Sequence, residues 1–213
     1  MGIEAILPLK AVSSTKQRLA GVLSDAARHS LVRAMAADVL TQLRSHPQID
    51  KVSIVCGEGW SAAEFAGPHL RVWHESTLAV RGLNSVLTAA LTKAECDSVL
   101  LIHGDLPFLQ RGDISNVISA ASRVDVVLCC DQTETGTNAL LMPRDTPLAL
   151  SFGERSFARH REAATAAEAS WEVVKTAGVA IDIDSPEELS LLSAEATGLG
   201  VKTATWCRDT RCA

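Results

Sequence analysis

Ser98-Val99-Leu100-Leu101-Ile102-His103-Gly104-Asp105-Leu106-Pro107-Phe108-Leu109 is an apolar strand that stops at an aspartate and then turns at a proline. Far along the chain, Ala180-Ile181-Asp182-Ile183-Asp184-Ser185-Pro186 repeats the pattern with two carboxylates. In open α/β sheets, ligands bind in the crevice beyond the carboxyl ends of the strands. Three acids gathered there repel one another, at roughly 4 kcal/mol per like pair about 4 Å apart in an effective dielectric near 20. A divalent cation removes that cost, and hard oxygen ligands favour Mg2+. The pattern predicts an enzyme that handles phosphates through a metal.

Outward from these stretches, strand and helix signals alternate. Apolar runs at 3–9, 52–56, 70–74, 99–102, 126–130 and 138–142 read as strands, and 171–175 and 179–183 read as extended. Ser24-Asp25 caps a predicted helix with Leu31, Met35, Val39 and Leu43 on one face. Further helices are expected near 60–66, at 84–94, from an Asp113 cap to Ala121, and at 156–167. Ser185-Pro186-Glu187-Glu188 combines a capping box with proline at the first helical position. This alternation implies an α/β fold with a mostly parallel central sheet and helices on both faces. Residues 1–197 read as one domain, and 198–213 as a loosely attached C-terminal tail.

The bulk composition narrows the function. The chain has 213 residues, 47% apolar and 21% charged, which suits a folded domain rather than disorder. A net charge of −5 with no Lys/Arg block argues against nucleic-acid binding. Any polyphosphate must therefore meet locally concentrated cations. No apolar run reaches the length of a membrane span, and Met1-Gly2-Ile3-Glu4 lacks signal-peptide character; the expectation is a cytoplasmic protein. The six cysteines form no C-x-x-C pair, and Cys56, Cys129 and Cys130 lie in apolar strands as small hydrophobes.

The cations cluster after the first strand, at Lys10, Lys16 and Arg18. That loop lacks the glycines of a phosphate-wrapping element, so side-chain charge must do that work; alternatively these are three solvated basic residues. Asp105 alone could be satisfied by backbone amides. Asp182 and Asp184 point to opposite sides of a regular strand and share a metal only if the chain turns between them; Asp184 could instead cap the last helix. Gly136-Thr137-Asn138 reads as a turn into a strand, and Ser156 as a helix start that could be either an ordinary cap or an anion site. Gly82-Leu83-Asn84 starts a helix.

Taken in order, Pro8-Leu9-Lys10 with Lys16 and Arg18, Gly82-Leu83-Asn84, Gly104-Asp105-Leu106-Pro107, Gly136-Thr137-Asn138-Ala139, Phe152-Gly153 with Ser156-Phe157 and His160, and Asp182-Ile183-Asp184-Ser185-Pro186 resemble the guanylyltransferase family of coenzyme F420 biosynthesis. The resemblance spans about residues 3–195. It implies a nucleotide-diphospho-sugar-transferase-like (nucleotidyltransferase) fold. It also implies transfer of GMP from GTP to 2-phospho-L-lactate, phosphoenolpyruvate or 3-phospho-D-glycerate, with release of pyrophosphate. By motif it assigns Asp105, Asp182 and Asp184 to Mg2+, and Leu9, Lys10, Lys16, Arg18, Gly82, Leu83, Asn84 and Asp105 to the nucleotide. Thr137, Asn138, Gly153 and Ser156 fall to the phosphoacid, and Lys10, Lys16 and Asp105 to catalysis. The implied partner is a downstream enzyme that accepts the labile product; a homodimer is left open. His103-Gly104 and Ala79-Val80-Arg81 depart from the usual family pattern.

Three other readings compete. A nucleotidyltransferase of the same fold that loads a sugar phosphate or molybdopterin is disfavoured by the missing glycine-rich loop. A glycosyltransferase would use Asp182-Ile183-Asp184 as its D-x-D motif, although that motif usually lies mid-domain. A non-catalytic nucleotide-binding module is the third.

Overall fold

Val99, Leu100, Leu101 and Ile102 are each at most 2% exposed. A strand apolar on both faces is what a parallel sheet needs when helices cover both sides. The computed structural model describes residues 2–65, 67, 70–193 and 195–211. Its strands are β1 (Ile3–Leu9), β2 (Lys51–Cys56), β3 (Leu70–His74), β4 (Ser98–Ile102), β5 (Val126–Cys130), β6 (Thr137–Pro143) and β7 (Trp171–Val173). Its helices are α1 (Asp25–Ser45), α2 (Leu83–Leu91), α3 (Arg111–Ala120), α4 (Ser156–Ala166), the one-turn α5 (Ala177–Ala180) and α6 (Pro186–Leu189), and α7 (Val201–Arg211).

The seven strands form one sheet in the order β3-β2-β1-β4-β6-β5-β7. All neighbouring pairs are parallel except the two that β6 makes with β4 and β5. Period-two alternation divides each central strand between two cores. Ala5, Leu7, Leu100 and Ile102 pack with Leu31, Met35, Ile114 and Cys207 on one face. Ile6, Val99 and Leu101 pack with Val86, Leu87, Phe157 and Ala164 on the other. The chain leaves β1 toward β2 and leaves β4 in the opposite direction, so the order of connection reverses between the adjacent strands β1 and β4. That is the switch point at which a crevice opens.

Helix α1 begins as expected, with Ser24 accepting a hydrogen bond from the Ala27 amide. Three expectations need correcting. Asp113 is not the cap of α3; it lies in the first turn and accepts from the Gln110 amide at 2.8 Å. Residues 179–183 are not a strand: Val179 is buried in α5, and the chain from 181 to 184 is irregular. The tail reading of 198–213 also fails for 201–211, which form α7 on α1. There the Asp38 carboxylate accepts from the Lys202 and Thr203 amides and the Thr203 hydroxyl. Such a cap, supplied across the fold, satisfies the orphan donors of a helix start without any local signal. The helix near 60–66 shortens to a 3-10 turn at Ala62–Phe65; Ala66 and Cys212 lie outside the described residues. No helix is long and apolar enough to cross a membrane, among the described residues.

Candidate active site

The carboxyl ends of β1, β4 and β5 face one edge of the sheet. Because β6 runs the other way, its amino end at Thr137 joins them there. A cavity of about 780 Å³ opens at this edge, within the usual range for small-molecule sites. Its walls include Leu9, Lys10, Lys16, Arg18, Leu83, Asp105, Thr137, Asn138, Gly153, Ser156, Asp182 and Asp184. Of the residues singled out from sequence, only Gly82 and Asn84 are missing from the wall.

The floor is acidic. Asp105 follows β4, and Asp182 and Asp184 come from the irregular 181–184 segment; one oxygen of each lies within 4.8 Å of the others. The missing strand regularity lets both acids of Asp182-Ile183-Asp184 face the same point. Asp184 does not cap α6 with its side chain. Instead Glu188 accepts from the Asp184 and Ser185 amides at 2.6 and 2.8 Å, leaving the Asp184 carboxylate for the cavity. Lys16 bridges the floor, its ammonium donating to both Asp105 and Asp184. Burial alone would push the Lys16 pKa down, but the two carboxylates overturn this and raise it. Burial likewise opposes the charge on Asp105, and Lys16 with His103 prevails, holding its carboxyl below the ordinary range.

Asp182 takes the opposite course: burial first, and then the neighbouring Asp105, push it up to about 6. One ammonium therefore leaves the three acids with surplus negative charge. The Oδ1 of Asp105 is buried without a hydrogen-bond partner. A donor set made only of carboxylate oxygens, one of them unpartnered, fits a hard divalent cation.

Lys16 is set by its surroundings. Its backbone is left-handed, with φ 52°. Buried Arg28 of α1 donates to the Thr15 carbonyl at 3.0 Å, which pins the preceding peptide. Lys10 is exposed, and its carbonyl accepts from the Trp60 indole at 2.9 Å. Gly57 allows that approach, because a Cβ there would lie 2.5 Å from the Ala11 nitrogen. Neither Lys10 nor Arg18 forms an ion pair among the described residues, so both remain available to an anion.

The opposite wall presents neutral hydroxyls and an amide, from Thr137, Ser156 and Asn138, beside Asp131, Glu154 and Arg155. Thr137 and Ser156 are at most 2% exposed, and the Ser156 hydroxyl accepts from the Thr137 amide at 2.8 Å. Ser156 is thus the first residue of α4 rather than its cap. Asn138 donates to the Val179 carbonyl at 3.0 Å and to Asp182 at 3.2 Å, tying this wall to the floor. Gly153 holds φ 118°, a conformation that favours glycine. His103, on the cavity wall, packs its ring 5.3 Å from Phe152; burial pushes its pKa down.

Asn84 lies outside the cavity wall. Its side-chain amide pairs with the backbone of Phe152, donating to the carbonyl at 3.0 Å and accepting from the amide at 2.7 Å. Asn84 clips α2 to the Phe152-Gly153 turn. Gly82 precedes α2 with φ 86° and sets the turn that brings Leu83 to the cavity.

Several supporting residues escaped the sequence reading. Asp131 organises its loop, accepting from the Thr135 and Gly136 amides at 2.9 and 2.8 Å. An aspartate opening a polar loop before glycine is a turn signal that could have flagged it. Arg28 carries no such signal, whereas Glu188 was legible as the partner of Ser185 in the capping box, and the structure adds its hold on the Asp184 amide.

Comparison with known proteins agrees with this geometry. A family model described as "Guanylyl transferase CofC like" matches residues 3–211. A 3-phospho-D-glycerate guanylyltransferase of Phenylobacterium zucineum is 34% identical over 87% of this chain and 87% of its own. A phosphoenolpyruvate guanylyltransferase of Conexibacter woesei is 31% identical over 90% of this chain and 87% of its own. A 2-phospho-L-lactate guanylyltransferase of Methanothermobacter thermautotrophicus is 31% identical over 87% and 81%. Among solved structures, a Desulfovibrio desulfuricans G20 protein classed as a nucleotide-diphospho-sugar transferase superposes with a TM-score of 0.78 at 15% identity, over 100% of this chain and 96% of that one.

Proposed function

The chain belongs to the CofC-like guanylyl transferase family, and on that premise we propose that it transfers GMP from GTP to a three-carbon phosphoacid. The acid is 3-phospho-D-glycerate, phosphoenolpyruvate or 2-phospho-L-lactate, the reaction releases pyrophosphate, and the product enters coenzyme F420 biosynthesis in the cytoplasm. The observation that carries the reading is the convergence of Asp105, Asp182, Asp184 and Lys16 on the floor of the cavity that Thr137 and Ser156 wall.

A phosphate oxygen of the acid forms a bond to the α-phosphorus of GTP as the bond to the pyrophosphate oxygen breaks, and the electron pair leaves with pyrophosphate. The attacking phosphate is already ionised at neutral pH, so no residue needs to act as a base. Catalysis then rests on holding two anions in line and offsetting their charge. Asp105, Asp182 and Asp184 would hold Mg2+, which supplies neutralisation of the phosphate charge. Lys10, Lys16 and Arg18 would contact the triphosphate, with Leu9 and Leu83 beside the nucleoside. Thr137, Asn138, Gly153 and Ser156 would receive the acid. The labile product then passes to the enzyme that consumes it.

The test is pyrophosphate release from GTP or ATP with each of the three acids. Turnover with GTP and one or more of these acids, and little with ATP, is expected. Release from none of the GTP mixtures, or equal use of ATP, would overturn the reading.

A further inference from the structure

His160 is fully buried, yet neither ring nitrogen is idle. Its Nε2 accepts from the Ser151 amide at 2.9 Å, and its Nδ1 lies 2.9 Å from the Thr137 hydroxyl. An amide N–H can only donate, so Nε2 must carry the lone pair. In a neutral imidazole the proton then sits on Nδ1. Burial, with His103 nearby, favours that neutral ring, holding its pKa at about 4. The edge of Phe152 packs against the ring at 4.7 Å between centroids, which limits its rotation.

This polarity propagates. With Nδ1 donating, the Thr137 hydroxyl accepts, and its single proton remains to be given elsewhere. The Ser156 hydroxyl accepts from the Thr137 amide, so its proton is free in the same way. Among the described residues no protein acceptor takes either proton, and both residues line the cavity. Two hydroxyls whose protons remain free make a wall suited to an anionic acceptor.

We propose that His160 is a positioning residue that fixes the Thr137 hydroxyl as a hydrogen-bond donor to an anionic oxygen of the phosphoacid. It rests on the proposed placement of the acid on this wall. His160 acts through Thr137 and never touches the substrate.

The experiment is a double-mutant cycle on steady-state pyrophosphate release, with the phosphoacid and GTP varied separately. His160→Leu removes the relay. His160→Asn restores a donor near the Nδ1 position. Thr137→Val removes the hydroxyl that receives it. The expected result is a KM for the acid raised about tenfold or more in His160→Leu, as for loss of one hydrogen bond to a charged group. The KM for GTP should stay within about twofold.

His160→Asn should recover most of the acid KM, and the two lesions should not multiply when combined. If His160→Leu does not fold, His160→Asn alone and combined with Thr137→Val decide. The double variant should then match Thr137→Val. Multiplying effects, equal damage in the leucine and asparagine variants, or a parallel rise in the GTP KM would overturn the inference. A wild-type protein that turns over none of the three acids would instead sink the function proposed above.

Discussion

The two sides of the cavity are held in place by different physics. On the floor, three carboxylates and Lys16 are held by charge, and the ionisation of Lys16, Asp105 and Asp182 depends on their neighbours. On the far wall, Thr137, Ser156 and His160 carry no net charge and are fixed by hydrogen bonds of set direction. Charge tolerates small errors of angle and responds strongly to loss of a partner. Directional bonds are far less tolerant of errors of angle. On the proposed placement of the substrates, the first would hold the phosphates and the second would orient the acid.

The contrast breaks most readily at Asp105. In Asp105→Asn, turnover should fall by about a hundredfold or more, as for loss of a stabilising group at the reacting centre, while far-UV circular dichroism stays unchanged. Near-normal turnover would mean that the floor is structural.

The next effect is on stability. Lys16→Met leaves a buried carboxylate without its ammonium; about 2 kcal/mol of unfolding free energy should be lost, discounted from the fully buried case because Asp184 is half exposed. Chemical denaturation measures this. An unchanged midpoint would show that Lys16 does not neutralise the floor.

The wall should betray itself through pH. The folded-state pKa of His160 is about 4, below the value near 6.5 of an unfolded histidine. Between these values the unfolded chain binds more protons, so stability is complete above about pH 6.5 and is lost as pH falls toward 4. The His160 contribution to the melting temperature should fall by about 5 °C across that window, roughly 2 kcal/mol for a chain of this size. It is read as the difference between the wild type and His160→Leu, because Asp182, raised to about 6, takes up a proton in the folded state and works the other way. His160→Leu should remove that part of the slope, and what remains should be the balance of His103, shifted in the same direction by burial, against Asp182, shifted in the opposite one. A slope unchanged in the variant would refute the neutral buried ring.

The smallest effect sharpens the boundary between the two regions. Asn84→Ala should cost about 1 kcal/mol, from two lost hydrogen bonds to the Phe152 backbone. Its KM for GTP should change less than twofold. A large rise in that KM would return Asn84 to the nucleotide.

How far the sequence could be read depended on how local the cause was. The β4 run into Asp105, the Ser24 cap with the apolar face of α1, and the Ser185 capping box all have their causes within a few residues, and each element lies where the pattern put it. Helix α7 was missed because its cap, Asp38, lies far away in the chain. What the Asn84 side chain meets was unreadable for the same kind of reason: a motif names a residue, but not the distant backbone that pairs with its amide.

By itself the sequence determined the α/β alternation, the two-sided burial of the sheet and the acids that end its runs, because apolar periodicity and turn chemistry act over short spans. Only the tertiary structure decided that β6 runs backwards to bring Thr137 to the acids, and that the 181–184 segment leaves strand geometry so that both its carboxylates face Asp105. It also decided that Lys16 lies between them, and that a buried histidine sets the direction of a hydroxyl. Those outcomes depend on burial and on partners distant in the chain, and no local pattern encodes what a side chain meets once the protein has closed around it.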